Sequence, residues 1–396
     1  MFDFGFHFFG NSSGGVVPPP PSTDFIIKVK TDNDGTSDND QFTLPTSTGT
    51  YDYTIDWGDG VVEDINVSTS QTHTYPTAGE YTIKISGTFP RIHFNNGGDK
   101  LKLIETVNFG DVGWTSMNTS FWGCENMDIS PTCTGVLLGV GNFFAAWQNC
   151  SSITSFPSLD LSGGTGFQQA WFNCTSMTSF NATALGSGTY RNTWRNCSSL
   201  TSFPSLDLSG GTNFDSTWSG CSSMTSFNAT ALGSGSYSTA WVNCSSMTSF
   251  PALDLSGGTS YDQTWRGCSS MTSFNATALG SGTMRFAWNG CSSLTSFPAL
   301  DLSGGNDFNS TWRNIGVLTS FATRNFFNMT NGTNCFLGTT LPTADCSDIY
   351  ITQRANNDNT GVSFHLGNSK YNPAGGVARG ELVTIQSWSI TDGGAE

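Results

Sequence analysis

Trp194 to Phe203 reads WRNCSSLTSF, and close copies follow as WSGCSSMTSF from Trp218, WVNCSSMTSF from Trp241, WRGCSSMTSF from Trp265 and WNGCSSLTSF from Trp288. Tryptophans fall at 147, 171, 194, 218, 241, 265, 288 and 312, with separations alternating between 24 and 23 residues. Two unit types therefore interleave, CSSLTSFPSLDLSGGTNFDSTWSG and CSSMTSFNATALGSGSYSTAWVN. A fixed period of this length marks a stack of small coils, each burying its apolar side against its neighbours.

Each unit carries an aromatic residue or Met four places before its Trp: Phe143, Phe167, Tyr190, Phe214, Tyr237, Tyr261, Met284 and Phe308. With Cys three places after Trp, the apolar positions fall at i, i+4 and i+7, which predicts a short helix. The text SSLTSF followed by PSLDL or NATAL predicts a strand, and Gly-Gly or Gly-Ser-Gly turns the chain back. The expected fold is an α/β solenoid of leucine-rich-repeat type, in 23/24-residue units over residues 91–325, preceded by an antiparallel β-sandwich.

That sandwich is expected over residues 24–90, from the alternating runs FIIKVK, YDYTIDW and YTIKIS. Asp56 and Asp59 read as turn-formers whose carboxylates bond nearby amides, and His73 as a hydrogen-bonded structural residue. Residues 326–396 are expected to cap the solenoid, with a helix after Thr343 as N-cap, a strand over 361–367, a helix over 373–386 and a last strand over 387–394. Residues 1–23 join an aromatic peptide to a Gly/Ser- and Pro-rich tether. A short aromatic peptide cannot bury itself, so Phe2, Phe4, Phe6, Phe8 and Phe9 are expected to anchor the chain to virion or filament neighbours in an oligomeric assembly.

The repeated W-x-N/G-C-S-S-L/M-T-S-F resembles the G-C-S-S-L-T-S-I/L text of BspA-like leucine-rich-repeat surface proteins. DWGDG (Asp56 to Gly60), THTY (Thr72 to Tyr75) and AGEYTIKISG (Ala78 to Gly87) resemble the polycystic-kidney-disease-type (PKD) Ig-like domain. Together the likeness covers about residues 24–394. The departures are the Trp and the Phe in the strand, which bear on coil shape. The resemblance implies surface display and adhesion without enzymatic activity, in bacterial surface proteins or in virion proteins of bacterial viruses.

Seven of the 11 cysteines, at 150, 174, 197, 221, 244, 268 and 291, occupy one place in successive coils. In-register side chains reach disulfide geometry poorly, and Ile315 substitutes at the next copy, so this column reads as buried packing. Cys124 with Cys133 and Cys335 with Cys346 lie off it and are the better disulfide candidates. No His or acid repeats beside the thiols, so no metal and no cofactor are expected.

Only 11% of residues are charged, net charge is −15, and no Lys occurs between Lys102 and Lys370. Such a body repels phosphate backbones, which argues against nucleic acid as a partner. No apolar run is long enough for a membrane span, and MFDFGFHFFG lacks the basic start of a secretory signal peptide. The four His, at 7, 73, 93 and 365, lie outside the repeat text of about Leu101 to Phe321. Asp160, Asp207, Asp254 and Asp301 recur identically in LDLSGG turns, where turn capping suits them better than the two unlike environments of an acid/base pair.

The copies differ most beside the aromatic and the Trp, at Gln168, Gln169, Arg191, Arg195, Asp215, Asp262, Arg266, Arg285 and Arg313. These are the candidate binding residues for a host surface glycan or protein, on an extracellular protein at a virion or cell surface. The expected function is a non-enzymatic structural and adhesion protein, a bacteriophage fibre or appendage. The alternative is a bacterial adhesin or a self-assembling filament subunit. Ice binding through the Thr and Ser of the LTSF strands is a third reading, disfavoured by the bulky Phe and Pro and by the alternating register.

Overall fold

In a computed structural model of the protein, residues 22–396 are described; the aromatic anchor residues lie outside them. The first strands are β1 (Phe25–Lys30), β2 (Gln41–Leu44), β3 (Asp52–Asp56), β4 (Val62–Ile65), β5 (Gln71–Thr74) and β6 (Glu80–Thr88). Two more follow, β7 (Leu103–Asn108) and β8 (Asp128–Ile129). One sheet has the order β4-β3-β6-β1-β7-β8, and β2 pairs with β5 in a second. Alternation in β1 buries Phe25, Ile27 and Val29 on one side, as period-2 patterning requires. Rings join the two sheets: Trp57 stacks on His73 at 4.8 Å and Tyr75 on Tyr81 at 3.8 Å.

The side chains of DWGDG do what turn chemistry asks. Asp56 Oδ1 accepts from the Gly58 amide at 2.9 Å, and Asp59 Oδ1 from the Val61 amide at 3.1 Å. The other Asp59 oxygen pairs with His73 Nε2 at 2.8 Å.

No break separates this region from the repeats at residue 90. Strand β7 runs antiparallel to β1 and parallel to β8, so one sheet turns from a meander into the first coils of the solenoid. Behind it Asp99 and Lys102 are fully buried. Asp99 accepts from the amides of Thr36, Ser37 and Thr43 at 2.7–3.0 Å, and Lys102 Nζ donates to the carbonyls of Ser37, Asp38 and Gln41. Two buried charges are tolerable when hydrogen bonds satisfy each of them in this way.

The repeats form a β-solenoid of about 12 turns. Its parallel ladders pair Ser202–Phe203 with Ser226–Phe227, Asp207–Leu208 with Ala231–Leu232, and Gly188–Thr189 with Gly211–Asn213. In the last of these Gly188 faces Gly211 but Thr189 faces Asn213. One residue is skipped there, so the bulge absorbs the alternation of unit length.

The predicted helix around each Trp is absent, and the α/β expectation is corrected there to turns. In the Trp147 coil the amides of Phe143, Ala145, Trp147 and Asn149 donate to Gly166, Gln168, Ala170 and Phe172 of the next coil at 2.8–3.0 Å. Those of Ala146, Gln148 and Cys150 close three-residue turns back to Phe143, Ala145 and Trp147. A helix would send every amide to the carbonyl four residues back. Two left-handed residues per corner prevent that, at the second place before and the second after the Trp: Ala145 and Asn149 (φ 50° and 60°), then Gln169 and Asn173 (φ 60° and 61°). This conformation favours Gly and Asn, which is why the motif reads W-x-N/G-C.

Trp147 through Trp312 form one buried column, with successive rings 5.0–5.8 Å apart and within 2–10° of parallel. The strand phenylalanines, Phe156 to Phe321, meet these indoles edge-on at 4.7–5.5 Å. The eight indole N–H groups find no nitrogen or oxygen partner. Each such buried donor costs about 1–3 kcal/mol, set against the burial of eight stacked indoles.

All 11 cysteines are free and buried. The candidate pairs Cys124 with Cys133 and Cys335 with Cys346 are thus free thiols as well. The column thiols do more than fill space: those of Cys150, Cys174, Cys197, Cys221, Cys244, Cys268 and Cys291 donate to the Phe121 or Trp carbonyl one coil back at 3.0–3.2 Å.

At the C-terminal end α1 (Thr343–Asn356) and α2 (Pro373–Ile385) pack side by side, and the strands Ser363–His365 and Ser389–Thr391 pair in parallel. The cap of α1 is Pro342 with no side-chain bond, so Thr343 is the first helical residue and not the expected N-cap. Proline, with a fixed φ and no N–H to leave unpaired, suits a helix start. In α2 the Asn372 side chain caps the Gly375 amide.

Candidate binding face

Successive coils stack ~4.8 Å apart, so any place in the repeat becomes a column along the axis. Two columns face outward at the Trp corner. Three places before the Trp stand Phe144, Gln168, Arg191, Asp215, Ser238, Asp262, Arg285 and Asn309; one place after it stand Gln148, Phe172, Arg195, Ser219, Val242, Arg266, Asn289 and Arg313. Between Leu103 and Phe321 all five arginines, 191, 195, 266, 285 and 313, lie in these columns. Eight of the nine predicted residues come together on this face. The exception is Gln169, which holds a left-handed backbone position.

Some of this charge is used internally. Arg285 reaches Asp262 at 3.0 Å and Asp307 at 4.0 Å, bridging neighbouring coils. Asp215 accepts from the Ser236 hydroxyl, and Arg266 Nη1 donates to Gln263 Oε1 at 2.8 Å. The Arg195 guanidinium lies 5.8 Å from the centre of the Phe172 ring, within cation–π range. Among the described residues Arg191, Arg195 and Arg266 meet no carboxylate.

The LDLSGG turns, a ridge of recurring acids, have a different character. Asp160, Asp207, Asp254 and Asp301 each cap a turn, accepting from the Ser amide two places on at 2.8–2.9 Å. Clefts recur there between LDLSGG and ALGSG turns, one of about 620 Å³ beside Asp254 and one of about 470 Å³ beside Asp207. The strand threonines turn their hydroxyls onto the preceding coil: Thr178 donates to the Thr154 carbonyl at 3.0 Å, and Thr225 to Thr201 at 3.1 Å.

Two clefts flank the Trp corner. A cleft of about 620 Å³ runs along Glu125, Asn149, Asn173 and Asn196, whose carboxamides form a ladder at 2.8–3.0 Å. The other, about 480 Å³, is lined by Asn118, Asn142, Phe144, Thr165, Gln168 and Thr189 with the glycines 141 and 166. Sequence reasoning reached Gln168 there but missed Asn118 and Phe144. The available signal was an aromatic residue at an outward place that other copies fill with Arg, Asp or Ser.

Among the described residues no three His, Cys, Asp or Glu side chains gather as a metal-binding set, and no helix is long and apolar enough to cross a membrane. No protein-family model, curated protein or solved structure matches this chain. Function therefore rests on the arrangement of the corner face.

Proposed function

We propose that the protein is a non-enzymatic, surface-exposed structural and adhesion protein, a fibre or appendage of a bacterial virus that contacts the host surface. One observation carries this reading: over a core that repeats Trp, Phe and Cys from coil to coil, the outward columns beside the Trp change at every coil. A stiff scaffold with a variable face suits recognition of an extended surface. In the finer reading, the coils are a leucine-rich-repeat type of the BspA-like kind with turns in place of the helix, and the leading strands are a PKD-type Ig-like sandwich.

Antibody labelling of intact virus particles tests the assignment. Label at the particle exterior is expected, and absence from particles would remove the viral version. The same face would serve a bacterial adhesin, in which case the label decorates uninfected cells.

A further inference from the structure

The clefts differ in one respect that bears on ligand class. The ridge clefts carry Asp254 or Asp207, and the asparagine-ladder cleft carries Glu125. The cleft around Phe144 has no charged lining residue, in a chain of net charge −15. It is furnished with carboxamides, threonines and one aromatic ring.

Those groups are largely unspent. Among the described residues the side-chain amides of Asn118 and Gln168 make no hydrogen bond, and no other ring stacks on Phe144, which is half-buried. Asn142 uses only Oδ1, accepting from the Phe144 amide at 2.9 Å, which fixes the start of that turn and leaves its NH₂ available. Thr165 is held against the Gly141 carbonyl at 3.1 Å. The coil backbone thus fixes where each of these residues stands.

We propose that this cleft is a subsite for a neutral sugar ring. A pyranose has a face of C–H groups and a rim of hydroxyls, each both donor and acceptor. An aromatic ring offers the first a matching apolar plane, and a carboxamide offers the second a donor and an acceptor side by side. Asn118, Phe144 and Gln168 occupy one column on three consecutive coils, so the amides flank the ring at ~4.8 Å on either side. A sugar seated on Phe144 meets an amide at each edge, and a longer chain leaves along the axis toward Arg191.

The choice of a glycan over other polar ligands rests on the adhesion reading; the geometry of the cleft does not. The test uses the full chain, measuring calorimetric binding of short neutral hexose and N-acetylhexosamine oligosaccharides and, separately, binding to bacterial cells. Phe144→Ala and Gln168→Ala are compared with Ser234→Ala in a ridge cleft, with thermal melting as the folding control. At least one neutral oligosaccharide should bind, about tenfold weaker in each cleft variant and unchanged in Ser234→Ala. If the oligosaccharides do not bind, or bind both cleft variants like wild type, the sugar subsite is overturned, while retained cell binding leaves adhesion standing. If an oligosaccharide binds in the cleft but no cells are bound, the subsite stands and the adhesion reading falls.

Discussion

The Cys197 thiol donates to the Trp171 carbonyl at 3.1 Å, one coil back, while the Cys197 amide closes a turn onto Trp194. The same pair of bonds recurs up the column, so each thiol ties two coils together without a covalent link.

A first expectation concerns pH. Burial holds the thiols up, Cys221 and Cys291 to about 12 against an ordinary value of 9.0. The folded state therefore keeps protons that the unfolded chain releases, so this stability is intact below the unfolded pKa and is lost as pH rises toward the folded one. The melting temperature should fall steeply above about pH 9. A thiol reagent should label none of the cysteines in native protein at pH 8 and all of them in denaturant, and reductant should leave the melting curve unchanged.

Corner conformation gives a second. Gly220 has φ 79°, and a Cβ there would come 2.5 Å from Asn196 Oδ1. Gly220→Ala should cost roughly 2 kcal/mol or more, the left-handed penalty being ~1–2 kcal/mol before the clash. Asn196→Gly should cost little beyond its ladder bond to Asn173, and Asn196→Ala, which adds left-handed strain to the same loss, should cost more. Denaturant unfolding of the three variants checks the order.

The same corner separates what was legible in the sequence from what was not. Period, coil stacking, buried Trp and Cys columns and both C-terminal helices follow from patterning alone. The spacing Tyr190, Trp194, Cys197 was misleading, because an i, i+4, i+7 apolar face also arises when left-handed residues fold consecutive turns. Asn or Gly at the second place after each of the eight column tryptophans was the available sign, since a helix interior has no reason to prefer those residues. Of the binding face, Arg191 and Arg195 were readable as variation, while the cleft around Phe144 was not. Its walls come from three coils, and only stacking shows which outward residues share a column.

Truncation in the column is a third test. Trp218→Ala should cost about 3–5 kcal/mol. Trp218→Phe should cost less, because Phe121 and Phe336 already stack at the column's ends. Near-UV circular dichroism should show strong coupled indole bands that weaken in both variants.

The junction supplies a fourth. Burial pushes the Asp99 carboxyl up, but its bonds to Ser37 and Thr43 and the Lys102 charge hold it below the usual range. Its contribution is present above the unfolded pKa and lost as pH falls through the folded one. Asp99→Ala leaves the amides of Thr36, Ser37 and Thr43 without their acceptor, and at roughly 1–3 kcal/mol for a buried donor left unpaired, about 3 kcal/mol or more should be lost. Proteolysis should then open the segment around Ser37 first.

The central claim, that the Trp corner is the recognition face of a rigid solenoid, is tested most directly by charge substitutions at that corner and at the LDLSGG ridge. Binding of the full chain to bacterial envelopes is measured for Arg191→Glu with Arg266→Glu on the corner, and for Asp207→Asn with Asp254→Asn on the ridge, all confirmed as folded. The account predicts that corner variants lose binding and ridge variants keep it; loss from the ridge variants alone would contradict it.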